Sequence, residues 1–137
     1  MMTVNKSILE QADSSLAKLN YAIELQQLAA TVGFDWPNIE SIFDKIHEEI
    51  DEVKAEVAIP DNHARLLDEM GDLLFACTNL ARHLNIDPEQ ALQAGNEKFY
   101  RRFSQLELIA NAQNKNLKQL SLVELDALWK QVKSAEK

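Results

Sequence analysis

Apolar residues recur along this chain at spacings of three and four, the period of an α-helix with one buried face. The clearest stretch spans about residues 38–58, where Ile39, Ile42, Phe43, Ile46, Ile50, Val53 and Val57 form one stripe. A second stripe, Met70, Leu73, Leu74, Cys77, Ala81 and Leu84, predicts a helix that Asp61 caps after the break at Pro60 and that runs to about His83. Before these, Leu16, Leu19, Ile23 and Leu28 predict a first helix over about 15–32, stopped by Gly33. The weaker pattern of residues 1–13 either extends that helix or frays. A polar and aromatic loop follows it, and Pro37 cannot sit inside a helix.

Asp87, Pro88 and Gln90 read as cap, first helical position and capping-box partner of a fourth helix that runs to about Ala112. Ser121 and Glu124 form a second capping-box pattern, opening a short last helix that carries Trp129. No segment alternates with period two, so the expectation is an all-α, four-helix-bundle-like fold with an additional short C-terminal helix. No internal repeat or long linker divides residues 1–137, which predicts a single domain.

Composition narrows this further. With 137 residues and 46% hydrophobic content the chain can bury one core. The single cysteine, Cys77, cannot form an internal disulfide, which fits a reducing compartment. There is no run of 18 apolar residues and no signal-peptide core at the start, so a cytoplasmic protein without membrane contact is expected. A net charge of −8 argues against a nucleic-acid polymer as partner and suits a protein that holds cations.

The acids are where that charge becomes specific. HEEIDE, from His47 to Glu52, lies on the second helix, and DEMGD, from Asp68 to Asp72, on the third. Measured from Ile46, Glu49 lies about 60° and Glu52 about 120° round the same side of the helix. Glu69 sits about 100° from Met70, and Asp72 a further 60° or so on that side. Glu49/Glu52 and Glu69/Asp72 are therefore two i,i+3 pairs that flank core stripes. If the two helices pair as an antiparallel hairpin, four carboxylates converge and repel one another unless a cation lies between them. Hard oxygen ligands without His or Cys favour Mg²⁺ or Mn²⁺. A di-iron bundle would want Glu-x-x-His on two helices, and none of His47, His63 and His83 has a Glu three residues before it.

The fourth helix supplies the opposite charge. KFYRRF, from Lys98 to Phe103, is the one dense basic stretch, and Lys98, Arg101 and Arg102 are either a solvated basic face or the partners of a phosphate. Leu92, Asn96, Phe99, Phe103 and Leu106 share one face, which sets a polar Asn96 into an apolar stripe. Buried without partners, it would cost roughly 1–3 kcal/mol. The run from Leu73 to Cys77 suggests a third helix buried on more than one side, and hence a core shared between subunits.

HEEIDE, then LLDEMGDLLFACTNLARHL, then ALQAGNEKFYRRFSQLE closely resemble the MazG family of nucleoside triphosphate pyrophosphohydrolases, as does GFDWP at Gly33–Pro37. The resemblance covers at least Gly33 to Leu106. It implies a Mg²⁺-dependent enzyme, Mn²⁺ being a possible substitute, that cleaves a nucleoside triphosphate to the monophosphate and pyrophosphate in house-cleaning of nucleotide pools. It also implies a homodimer or higher homo-oligomer. By motif position Glu49, Glu52, Glu69 and Asp72 would be metal ligands, and Glu48 or Glu52 the base. Lys98, Arg101 and Arg102 would contact phosphates, with Lys45, Arg65, Asn96 and Trp129 as further substrate contacts. Asp68 stands where the family often has Glu. The chain resembles a single carboxy-terminal catalytic domain. Two alternatives remain at this point: a pyrophosphatase restricted to dUTP or dCTP, and a non-catalytic helical interaction module with the same fold.

Overall fold

The structure, a computed structural model, describes residues 6–136, and the opening of the weak amino-terminal pattern lies outside the described residues. Five α-helices and two short 3-10 helices make up the fold, with no strand among the described residues, so the all-α expectation holds. No helix there is long and apolar enough to cross a membrane. The chain divides into two compact units, one ending at Ala91 and one beginning at Leu92.

The first unit holds a 3-10 helix, Ile8–Gln11, and the helices α1 (Lys18–Thr31), α2 (Ile39–Val57) and α3 (His63–His83). α2 and α3 pack along each other most extensively, and α1 lies against α3. α1 starts three residues later than its pattern predicts. Asp13 Oδ1 accepts from the amide and hydroxyl of Ser15 at 3.0 and 2.6 Å, a local turn that competes with the helix. Its end is as expected: Gly33 takes φ +90°, and the amides of Gly33 and Phe34 donate back to Ala30 and Ala29, closing the last turn.

Asn38 caps α2, its side chain accepting from the Ser41 amide at 2.9 Å. Asp61 does not cap α3. It sits at φ +57°, the left-handed region, and Asn62 takes the cap position. The Asn62 amide group turns back instead, donating to Glu56 O at 2.8 Å and Glu56 Oε2 at 2.6 Å. The tight link between α2 and α3 is thus held by the end of α2, and it makes the hairpin on which both acidic pairs ride.

The second unit holds α4 (Pro88–Ala112) from Leu92 on, a 3-10 helix, Leu117–Gln119, and α5 (Leu122–Ala135). Asp87 Oδ1 accepts from the amides of Glu89 and Gln90, and the Ser121–Glu124 box is complete. Leu106, Ala110, Leu128 and Val132 form the core, with Ile109, Leu125 and Trp129 packed against it. Two expectations of burial are not met within this chain. Leu74 and Phe75 on α3 are 52% and 48% exposed, so the chain itself does not cover that helix on several sides. Asn96 is exposed, as are Leu92 and Phe99 beside it, so this part of the stripe is open to water, unlike Leu106 further along it, and the amide needs no protein partner.

Candidate functional site

One carboxylate oxygen each from Glu49 on α2 and from Glu69 and Asp72 on α3 lie within 4.8 Å of one another. The α2–α3 hairpin thus brings three of the four expected ligands together. Glu52 stays outside that group, one turn along α2, yet its negative charge is felt by Glu69. Glu49 is the buried member, 6% exposed, although it belongs to a run of acids. Its Oε1 accepts from Lys45 Nζ at 2.9 Å, while its Oε2 is shielded from water and has no hydrogen-bond partner.

A buried carboxylate oxygen without a donor is costly, and two further carboxylates close by make it more so. The neighbours register this. The Glu69 carboxyl is pushed above its ordinary value by loss of water and then by the charges of Glu52, Asp72, Asp68 and Glu49. The Asp72 carboxyl is pushed up by the same loss of water and by Glu49 and Asp68, with Lys45 opposing. Lys45 is held protonated above the ordinary lysine range, chiefly by its bond to Glu49. One lysine does not balance this many acids. The donor set consists of hard oxygens on a rigid hairpin with one lone oxygen aimed at nothing, which fits a hard divalent cation.

The other expected residues fall as follows. Glu48 is largely exposed and 3.6 Å from Lys45 Nζ. Arg65 lies 3.7 Å from Glu56 and is otherwise solvated. In the second unit Lys98 is exposed. Arg101 and Arg102 both reach Glu136, at 3.5 and 3.0 Å, and hold its carboxyl below the usual range, the hydrogen bond from Arg102 contributing most. Trp129 is half-buried against the unit's core, tilted on Phe99 at 5.7 Å between ring centroids, and Phe99 stacks on Phe103.

The sequence pattern alone did not single out a second polar region of the first unit. Gln26 on α1 is 7% exposed and donates from Nε2 to Phe75 O and Thr78 Oγ1, both at 3.1 Å. Arg82 donates to Asn79 Oδ1 and, through two nitrogens, to Asp35, which also lies 2.9 Å from His83 Nε2. That pairing with Arg82 brings the Asp35 carboxyl down to about 2. Gln26, Phe34, Asp35, Trp36, Asn79 and Arg82 are among the residues that line a cavity of about 430 Å³. The criterion applied to Asn96 also fits Gln26, which follows Leu19, Ala22 and Ile23 at helical spacing as a polar residue on an apolar face.

Comparison with known proteins gives a consistent result. The MazG nucleotide pyrophosphohydrolase domain model matches residues 38–106. A nucleoside triphosphate pyrophosphohydrolase of Escherichia coli K12 is 46% identical over 132 residues, covering 95% of this chain and 50% of the relative. A nucleoside triphosphate pyrophosphohydrolase/pyrophosphatase MazG of Thermotoga maritima is 39% identical over 118 residues, covering 86% of this chain and 45% of the relative. The chain thus spans about half the length of the relatives it matches.

Proposed function

The chain belongs to the MazG nucleotide pyrophosphohydrolase domain family, and from that membership we propose that it is a Mg²⁺-dependent nucleoside triphosphate pyrophosphohydrolase. Water and a nucleoside triphosphate yield the monophosphate and pyrophosphate, one phosphoanhydride bond being broken and one P–O bond formed. The observation that carries this reading is the buried, unpartnered Glu49 Oε2 beside Glu69 and Asp72. We further infer a cytoplasmic homo-oligomer, in which the half-exposed Leu74 and Phe75 are covered by another copy.

In this reading Glu49, Glu69 and Asp72 hold the metal, with Glu52 joining from the next turn of α2. A bound magnesium ion supplies charge neutralisation of the triphosphate and lowers the pKa of a coordinated water. The chain's own residues do the rest. Lys45 lies against Glu49 and has the reach to turn to a phosphate once the carboxylates are otherwise neutralised. Glu48 and Glu52 are the two candidates for accepting the proton of the attacking water. Lys98, Arg101 and Arg102, on the second unit, are phosphate contacts only as the family resemblance implies; there Arg101 and Arg102 pair with Glu136.

The test is a panel of ribo- and deoxynucleoside triphosphates incubated with the protein, with and without Mg²⁺, with assays for pyrophosphate and monophosphate. Equimolar release of both, abolished by chelation, is the expected outcome. Failure to release either from any triphosphate would leave a helical binding module in its place.

A further inference from the structure

The link between α2 and α3 breaks two local preferences at adjacent residues. Asp61 sits at φ +57°, a left-handed conformation that is costly for a residue other than glycine. Asn62 stands at the cap position of α3, yet its side chain makes no capping bond. Its –NH₂ group goes to Glu56 instead, donating to the backbone oxygen at 2.8 Å and to Oε2 at 2.6 Å. Arg65, in the first turn of α3, lies 3.7 Å from the other carboxylate oxygen. Glu56 is correspondingly withdrawn from water. Its side chain is 12% exposed, while Asp51 and Glu52 on the same helix are open to solvent.

These contacts lie on the seam that carries the carboxylates. Glu56 follows Glu49 by seven residues, within about 20° of the same face of α2 and about 10 Å along its axis. On α3, Arg65 precedes Glu69 by about one turn and Asp72 by about two. Among the described residues no other side-chain hydrogen bond or ion pair joins the two helices. Glu49, Glu69 and Asp72, crowded within 4.8 Å, push them apart. We propose that Glu56 and Asn62 are positioning residues for the metal site, whose bonds clamp the closed end of the hairpin and hold Glu49 opposite Glu69 and Asp72. The strained Asp61 and the forgone cap of Asn62 are tolerated because the same bonds fix the register of α2 against α3. Without the clamp the metal-free hairpin relaxes under the repulsion, and a cation must first draw the helices together. Apparent affinity then falls by the fraction of chains that hold the closed register. The inference rests on the metal reading above and adds what sets the geometry of that site.

Asn62→Ser and Glu56→Ala each break the clamp, and the serine is itself a good cap that keeps the start of α3 stable. Glu56→Gln loses the same charge as Glu56→Ala but keeps an acceptor for Asn62, so this pair separates the bond from the charge. Binding of Mn²⁺ is read without nucleotide, from the electron paramagnetic resonance signal of the free ion. Asn62→Ser and Glu56→Ala weaken it about tenfold, the lower end of what changes outside a ligand set cost. The Mg²⁺ concentration for half-maximal pyrophosphate release rises about tenfold in parallel, with kcat at saturating Mg²⁺ within about twofold of wild type. Glu56→Gln binds Mn²⁺ within about twofold of wild type. Wild-type affinity in an Asn62→Ser protein of native helix content, equal weakening in Glu56→Gln and Glu56→Ala, or a fall in kcat at unchanged metal affinity would each overturn the assignment. If the wild-type protein binds no Mn²⁺, the metal reading fails and the clamp falls with it. If the Mn²⁺ affinities follow this order but no triphosphate is hydrolysed, the clamp stands and the activity fails.

Discussion

Among the described residues up to Ala91 the side chains most shielded from water include Gln26, Glu49, Thr78 and Asn79, alongside Ala22, Ile42, Ala76 and Pro88 among the apolar residues. From Leu92 on they are Leu106, Ala110, Leu128 and Val132. One unit has an apolar interior stabilised by transfer from water, and the other has buried amides and a carboxylate. The two buried side-chain atoms left without a partner among the described residues, Gln26 Oε1 and Glu49 Oε2, belong to the first. Acids repeat the contrast. Glu136 in the second unit sits between two arginines and is lowered, whereas Glu69 and Asp72 in the first face other acids and are raised. A fold that leaves polar atoms unsatisfied in one region while satisfying them in another marks the first as the region that a ligand completes.

The sharpest way to break this contrast is to remove a member of the carboxylate group. Asp72→Ala should lower Mg²⁺-dependent pyrophosphate release by a hundredfold or more, on the order of other losses of metal or charge stabilisation, with helix content by circular dichroism unchanged. Full activity in that variant would remove Asp72 from the ligand set. The apolar interior should respond in stability instead. Leu128→Ala, at a side chain only 5% exposed, should cost about 2–5 kcal/mol in urea unfolding.

Acid titration separates the two kinds of carboxylate by sign. Asp35, lowered from 3.8 to about 2, contributes stability that is fully present above pH 3.8 and is lost as the pH falls toward 2. Glu69 and Asp72 are raised, so they bind more protons folded than unfolded. In metal-free protein their repulsion grows as the pH rises above 4.5 and 3.8, and stability falls with it. Thermal unfolding in a chelating buffer across this range should show Asp35→Asn flattening the acid limb and Asp72→Asn flattening the limb above it. A wild-type and an Asp72→Asn curve of the same shape above pH 4.5 would count against the crowding of these acids.

The smallest effect belongs to Glu136. It is partly solvated and at the end of its helix, so Glu136→Gln should leave the thermal unfolding midpoint almost unchanged. If Arg101 and Arg102 serve the phosphates, freeing them should leave KM unchanged or lower it. A raised KM would mean that the Glu136 pairs position the arginines.

Much of this was legible along the chain, and particular residues say why. The Ser121 box, the Gly33 stop and the Asp87 cap are local devices, in which a side chain or a permissive backbone meets amides one turn away. Helical phase pointed to four carboxylates, and the structure groups three of them, because two neighbouring stripes that face each other bring their flanking acids together while Glu52 lies one turn further along. Asp61 misled because Asp and Asn are both good caps, and the choice was made by Asn62 reaching back to Glu56. Gln26 went unnoticed because its partners, Phe75 and Thr78, lie some fifty positions away.

The sequence by itself determined the helices, their ends and the acidic character of the α2–α3 seam, since these follow from period and from contacts within a turn. Only the tertiary structure decided which acid is buried, that Glu52 stands apart from the other three, and that a glutamine on α1 is buried against α3 with its oxygen unpartnered. Those outcomes depend on which groups remain for a side chain once its neighbours have paired, and that is settled by packing between helices rather than by spacing along one.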